Sequence, residues 1–337
     1  NLNQKPGGLP TEVIIADDGQ NPETAKQISE RFIKKDKVNI ATGIVFSNVL
    51  LAAAPAFFKS ETFYISSNTG PSAYAGPLCN PFFFNVAWQN DSLHEVMGKY
   101  LQDKGIKKLV VIAPNYPGGK DAINGLKRFY KGVVTEEIMT KLGQLDYASE
   151  IAQVRAADAD GLYIFLPGAM GINFIKQYGQ SGQMKKTPLY ASGFSADEDV
   201  VGAVGSVMEG LLNTSHWYRE MDNSTNKQFV ADFQKEYRRP PTLFASQGYD
   251  AALLIDAAIK QVGGKIENKA ALRNALETVK APSTRGKYRF GINHYPVQSY
   301  YLRQVVRNPD GSLSNKFVSK VADDMADAYV SECKMPL

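Results

Sequence analysis

Two short strand patterns end alike, in small polar residues, and this constrains the fold more than any other feature. Val38-Asn39-Ile40-Ala41-Thr42-Gly43 runs into Ile44-Val45-Phe46-Ser47-Asn48, where a helix pattern begins at once. Phe63-Tyr64-Ile65 runs into Ser66-Ser67-Asn68-Thr69-Gly70-Pro71-Ser72. An open α/β sheet presents hydroxyls and backbone N–H groups in this way at the carboxyl ends of its strands. Free N–H groups and the helix dipole both favour negative charge there. The pattern predicts a crevice for a small carboxylate with no bond-making chemistry in it.

The same alternation continues along the chain. Glu12–Ala16 reads as a strand, and Asn21 caps a helix that Pro22 opens and that runs to about Lys35. Strand Val38–Thr42, helix Ser47–Phe58, strand Thr62–Ile65 and the extended run Pro81–Val86 follow. A second set comprises helix Asp91–Lys104, strand Lys108–Ala113, helix Gly119–Tyr130, strand Val133–Met139, helix Ala148–Ala156, strand Gly161–Phe165, helix Gly168–Tyr178 and strand Pro188–Tyr190. After Leu212 come helices Asn223–Tyr237, Phe244–Val262 and Lys269–Thr278, then strands Gly286–Phe290 and Tyr300–Val306. Regular βα alternation predicts parallel, doubly wound sheets. Two such sets predict two lobes, 1–87 plus 217–296 and 88–216 plus 297–330, joined by a multi-strand hinge, with 331–337 as a tail. A doubly wound lobe normally opens one βα unit earlier, so Asn1–Pro10 reads as a helix tail and turn after roughly 30 further residues.

The 337 residues suffice for two cores, and a composition 44% hydrophobic and 21% charged is that of a water-soluble globular chain. The net charge of +4 is spread over pairs such as Lys34-Lys35 and Lys107-Lys108, with no basic stripe for nucleic acid. No apolar run is long enough to span a membrane. Asn1 in place of Met reads as a chain that is processed, engineered or truncated, with any leader already gone, so location has to be argued indirectly. Cys79 and Cys333 are either two unrelated buried thiols or one disulfide; their polar, proline-containing surroundings favour the disulfide, and with it an oxidising compartment.

Catalytic signatures are missing. His94, His216 and His294 stand alone, without metal-ligand spacing. Ser192-Gly193-Phe194-Ser195-Ala196 lacks the second glycine of a hydrolase elbow. Pro117-Gly118-Gly119-Lys120-Asp121 reads as a loop opening a helix, Asp17-Asp18 as a solvated turn, and Asn90-Asp91-Ser92 as a chance sequon. The sequence nominates no cofactor, no metal site and no catalytic residue.

In order along the chain, Pro6–Pro10, Glu12-Val13-Ile14, Asp17-Asp18, Asn21–Ala25, the Gly43–Ser47 loop, Ile65-Ser66, Pro71-Ser72, Phe84-Asn85 with Asp91, and Gln247–Ala251 resemble the solute-binding proteins of ABC importers. The resemblance is to the leucine/isoleucine/valine-binding family with the type I periplasmic fold, nearly end to end. It implies a periplasmic, monomeric protein that closes two lobes on a ligand and delivers it to an ABC permease. By position it assigns the ligand carboxylate to Ser47, which doubles as the helix cap, and to Ser67, Asn68 and Thr69. Tyr116 falls where the family places an aromatic over the ligand, and Pro167 and Gly168 fall in the next loop of that lobe. Amino-acid binders of the family carry an acidic residue where this chain has Gly193, while Asp197 and Glu198 start the next helix. A buried ammonium without an anion is costly, so the expected ligand is a small aromatic carboxylate. Phe46, Tyr116, Phe165, Met170 and Phe194 could sandwich its ring, and Gln247 could bond a ring substituent. The cysteine pair and the Asn68–Ser72 run are similar to the branch that takes up benzoates and hydroxycinnamates. The alternative is a branched-chain or other amino-acid binder, favoured if Asp197 or Glu198 reaches the cleft.

Overall fold

A computed structural model of the chain describes residues 5–335. Its strands are β1 Ile40–Ala41, β2 Phe63–Ser66, β3 Phe83–Asn85, β4 Lys108–Pro114, β5 Val133–Thr140, β6 Gly161–Ile164, β7 Leu189–Ser192, β8 Leu212–Ser215, β9 Arg289–Phe290, β10 Pro296–Arg307 and β11 Leu313–Met325. They form two sheets. The first has the order β1-β2-β3, all parallel. The second has the order β11-β10-β8-β7-β6-β4-β5, with β9 against β10. From β5 to β8 it is parallel; β10 runs antiparallel to β8, β9 and β11.

Each sheet is covered on both faces, and single strands show why they read as continuous apolar runs. In β4, Val110 and Ile112 enter one core with the helices Ala148–Ala156 and Ala169–Gln180. Leu109, Val111 and Ala113 enter another, with Ser92–Asp103 and Pro117–Phe129. In the first sheet Phe63 and Ile65 pack on the helices Leu243–Gln261 and Lys269–Thr278, while Tyr64 packs with Leu50 and Phe57 of the helix Ser47–Lys59. Residues 243–278 thus return to cover the first sheet, as expected for a chain that crosses repeatedly between lobes. At the crossings, the buried Arg285 donates to the carbonyls of Val86 and Ala87, to Gln298 Oε1 and to Asp250 Oδ2. Cys79 and Cys333 form a disulfide between positions 254 residues apart.

Three expectations change. Glu12–Ala16 is not a strand: it finds no ladder partner among the described residues, and Val13 and Ile15 are 72% and 87% exposed. β8 was hidden in the sequence because Asn213, Thr214 and Ser215 look like a loop. They are buried, with Asn213 bonding Asn315 and Arg303, and Thr214 bonding the Leu93 carbonyl. β11 was hidden because it is an edge strand with charged residues facing water. The expected start and tail fall partly on residues 1–4 and 336–337, outside the described residues.

Candidate functional site

β2 and β3 run in register, Ser66 beside Asn85, so the loops after them meet. Ser66 Oγ and Asn85 Nδ2 both donate to the Thr69 carbonyl, at 2.6 and 3.0 Å. Asn85 Oδ1 accepts from the N–H groups of Ala87 and Trp88. Gly70 passes so close that a Cβ there would lie 2.2 Å from the Trp88 carbonyl, so a larger residue would push the loops apart. Asn68 and Thr69 are thereby pressed against Trp88 and Asn90.

These residues line a narrow crevice together with Val45, Phe46, Tyr116, Phe165, Pro167, Phe194 and Phe244. Its free volume is only ≈30 Å³, so a ring-bearing ligand must part the walls to enter. Wider grooves of ≈650 Å³ beside Phe233 and ≈680 Å³ beside Tyr288 lie away from the strand ends.

One end of the crevice is polar. Asn90 Oδ1 accepts from the Gly70 N–H at 2.8 Å, which directs its Nδ2 to donate to Ser47 Oγ and Asp121 Oδ2, both at 2.9 Å. Ser47 Oγ and Thr69 Oγ1 are 2.5 Å apart. Ser47 is not the helix cap that the sequence predicted. Phe46 occupies the cap position and has no acceptor to offer the first turn, while the Ser47 hydroxyl, one residue on, is engaged with Thr69 and Asn90.

The rest is aromatic. Ring centroids are 5.9 Å apart for Phe46–Tyr116, 6.4 Å for Tyr116–Phe165, 4.6 Å for Trp88–Phe194 and 5.4 Å for Phe194–Phe244. His94 lies behind Phe165, and burial lowers its pKa to about 3, so it adds no charge.

Of the residues expected at a site, Phe46, Asn68, Thr69, Tyr116, Phe165, Pro167 and Phe194 meet at the crevice. Ser47 stands behind Thr69, and Gln247 behind Asn68, whose Nδ2 donates to Gln247 Oε1 at 2.8 Å. Ser67 is half-buried, and Gly168 is exposed at φ 62° at the cap of the next helix; neither is among the lining residues. Met170 belongs to the core on the opposite face of β4. Gly193 is buried away from the crevice, where a Cβ would lie 3.1 Å from Arg303 Nη2, an atom with no hydrogen-bond partner among the described residues. Asp197 is also turned away: its Oδ1 accepts from the Leu243 N–H at 3.0 Å, and burial raises its pKa to about 7. Glu198 Oε1 accepts from Asn315.

Sequence reasoning missed Val45, Trp88, Asn90 and Phe244. Asn90 was visible only as part of a chance sequon, and Trp88 lies in a crossing segment without periodicity.

The chain matches the periplasmic binding protein family over residues 1–312. It is 26% identical to the Leu/Ile/Val-binding protein homolog 6 of Brucella melitensis, over 93% of this chain and 82% of the relative. A solute-binding protein of an ABC transporter from R. palustris, solved with benzoate, superposes with a TM-score of 0.91 at 28% identity, covering 98% of this chain and 90% of the other. Another from Rhodopseudomonas palustris BisB5, solved with 3,4-dihydroxybenzoic acid, gives 0.89 at 28%, covering 96% and 89%. The sheets therefore belong to the two lobes of a type I periplasmic fold, and the chain belongs to the periplasmic binding protein family, as a solute-binding protein of the kind that serves ABC importers.

Proposed function

We propose that this protein captures a small aromatic carboxylate, of the benzoate, hydroxycinnamate or arylpyruvate type, and delivers it to an ABC permease. The observation that carries this reading is the division of the crevice into a hydroxyl-bearing end and aromatic walls, with no carboxylate among its lining residues. The ligand carboxylate is taken by the Ser47–Thr69 hydroxyl pair and the uncapped first turn of the helix Ser47–Lys59. Its ring slides between Tyr116, Phe165, Trp88 and Phe194. At Gly193, where amino-acid binders of the family carry an acid, this chain offers no carboxylate to an ammonium group, and the nearest charge is the guanidinium of Arg303. The benzoate and dihydroxybenzoate held by the two neighbouring structures support the same choice.

The lobes are taken as 1–87 plus 217–296 and 88–216 plus 297–330, acting as a monomer without a cofactor. Closing them over the ligand shifts the population to the form that the permease recognises. An amino-acid ligand is the second reading, favoured by the name of the Brucella relative.

A thermal-shift screen separates the two, since a ligand well above its dissociation constant raises the unfolding midpoint. A shift with 4-hydroxybenzoate, coumarate or phenylpyruvate and none with leucine is expected. A shift with leucine or valine alone would give the site to amino acids.

A further inference from the structure

Behind the crevice, three buried side chains from three elements stand in a row. Asn68, in the loop after β2, is a lining residue beside Thr69. Its Nδ2 lies 2.8 Å from Oε1 of Gln247, on the helix Leu243–Gln261. Gln247 Nε2 in turn lies 3.4 Å from Nε2 of His216, which follows β8. Gln247 and His216 are 1% and 0% exposed, and neither lines the crevice. Burial first, and then the charges of Arg285 and Arg303, hold the His216 pKa well below its ordinary value, so the ring is neutral with a single proton. Its Nδ1 has no hydrogen-bond partner among the described residues.

Two hydrogen-bond patterns fit these positions. In the first, Asn68 Nδ2 donates to Gln247 Oε1, and Gln247 Nε2 donates to His216 Nε2. The ring proton then sits on Nδ1, a buried N–H with no acceptor among the described residues, and Asn68 turns its carbonyl oxygen to the crevice. Turning both amides over keeps both contacts and exchanges every donor and acceptor. His216 Nε2–H then donates to Gln247 Oε1, Gln247 Nε2 donates to Asn68 Oδ1, and Asn68 Nδ2 faces the crevice. Only a lone pair on Nδ1 stays unused, and a buried N–H without an acceptor costs more than an idle lone pair. A carboxylate also accepts from an amide N–H and is repelled by an amide oxygen. The interior and the ligand therefore favour the same pattern. We propose that His216 is a positioning residue whose Nε2–H, acting through Gln247, turns the Asn68 amide so that it donates to the ligand carboxylate; this rests on the aromatic-carboxylate reading above.

The test uses the full chain. The chain has three histidines, and nitrogen-15 spectra separate protonated from bare ring nitrogens; His216 is assigned by its contacts to Gln247. In the wild-type complex with 4-hydroxybenzoate the His216 proton should be on Nε2, and a proton on Nδ1 would overturn the proposal. Calorimetry then compares 4-hydroxybenzoate with 4-hydroxybenzamide. His216→Phe removes the donor, and the ratio of acid to amide affinity should fall about 3- to 10-fold, the scale of one neutral hydrogen bond. His216→Gln can offer an N–H at the same place and should keep that ratio within about twofold. Equal losses of acid and amide in His216→Phe, as a merely structural role would give, would also overturn it. If that variant does not fold, the wild-type spectrum decides. A wild-type protein that binds neither aromatic compound tells against the parent reading instead. The spectrum is then taken with leucine, whose carboxylate makes the same demand of Asn68, and a proton on Nδ1 in that complex overturns the proposal.

Discussion

Two polar networks meet the crossing Val86–Asp91, and they are finished differently. Behind it, Arg285 gives Nε to Asp250, Nη1 to the Ala87 carbonyl and to Gln298, and Nη2 to the Val86 carbonyl, with its guanidinium 4.6 Å from the Tyr288 ring centroid. Every nitrogen of that guanidinium is engaged. In front, Ser47, Thr69, Asn90 and Asp121 form a chain in which one hydroxyl proton finds no acceptor among the described residues. A buried network that is saturated stabilises the fold, because any deletion strands its partners. A network with one donor to spare is completed by a ligand. The first should be felt in unfolding, the second in binding.

The largest expected effect is at the saturated network. Arg285→Met leaves the buried Asp250 carboxylate with its bonds from Ser283 Oγ and the Thr284 N–H but without its counter-charge, and breaking a buried pair in this way typically costs about 3–5 kcal/mol. Urea unfolding measures the loss, and an Arg285 variant of unchanged stability that bound ligand poorly would reverse the comparison. Next, Ser47→Ala should weaken an aromatic carboxylate by about 1–3 kcal/mol, the scale for a hydrogen bond to a charged group, with a smaller effect on the unfolding midpoint. Unchanged affinity in a calorimetric titration would remove Ser47 from the relay.

A smaller effect sharpens the contrast with an over-subscribed site. Arg128 Nη1 serves both Asp91, at 2.9 Å, and Glu95, and Glu95 Oε2 has no hydrogen-bond partner among the described residues. Burial raises Asp91 to about 6 and Glu95 from 4.5 to about 7, despite the guanidinium. Because the folded state holds these protons more tightly than the unfolded one, it is favoured at low pH. That contribution is complete below the unfolded values and is lost as pH rises through about 6 to 7. Glu95→Gln should therefore flatten the fall of the thermal midpoint between pH 5 and 8. An equally steep fall in the variant would assign the proton to another buried acid, Asp197 being the first to examine.

Much of this was legible from the sequence where local chemistry decides it. The helices Lys269–Thr278 and Ala148–Ala156 have the bounds read from the sequence. Thr69 and Phe46 could be named because strand ends in α/β sheets carry ligand contacts. Asn90 and Asp121 could not, since their bonds go to Gly70, Ser47, Ser72 and each other, partners far apart in the chain that no short-range pattern brings together. Asp121 looked like part of a loop opening a helix. β8 escaped notice because buried Asn, Thr and Ser are at home in a sheet only when Arg303, Asn315 and the Leu93 carbonyl are there to bond them. Glu12–Ala16 misled in the opposite direction: its apolar content satisfied a strand pattern, but a strand also needs a neighbour.

The most direct test of the central claim is a calorimetric titration of the wild-type protein with 4-hydroxybenzoate and, separately, with leucine. The account predicts saturable binding of the aromatic acid, with the negative heat-capacity change of a buried ring, and no heat of binding from leucine. Saturable binding of leucine with none of the aromatic acid would contradict it.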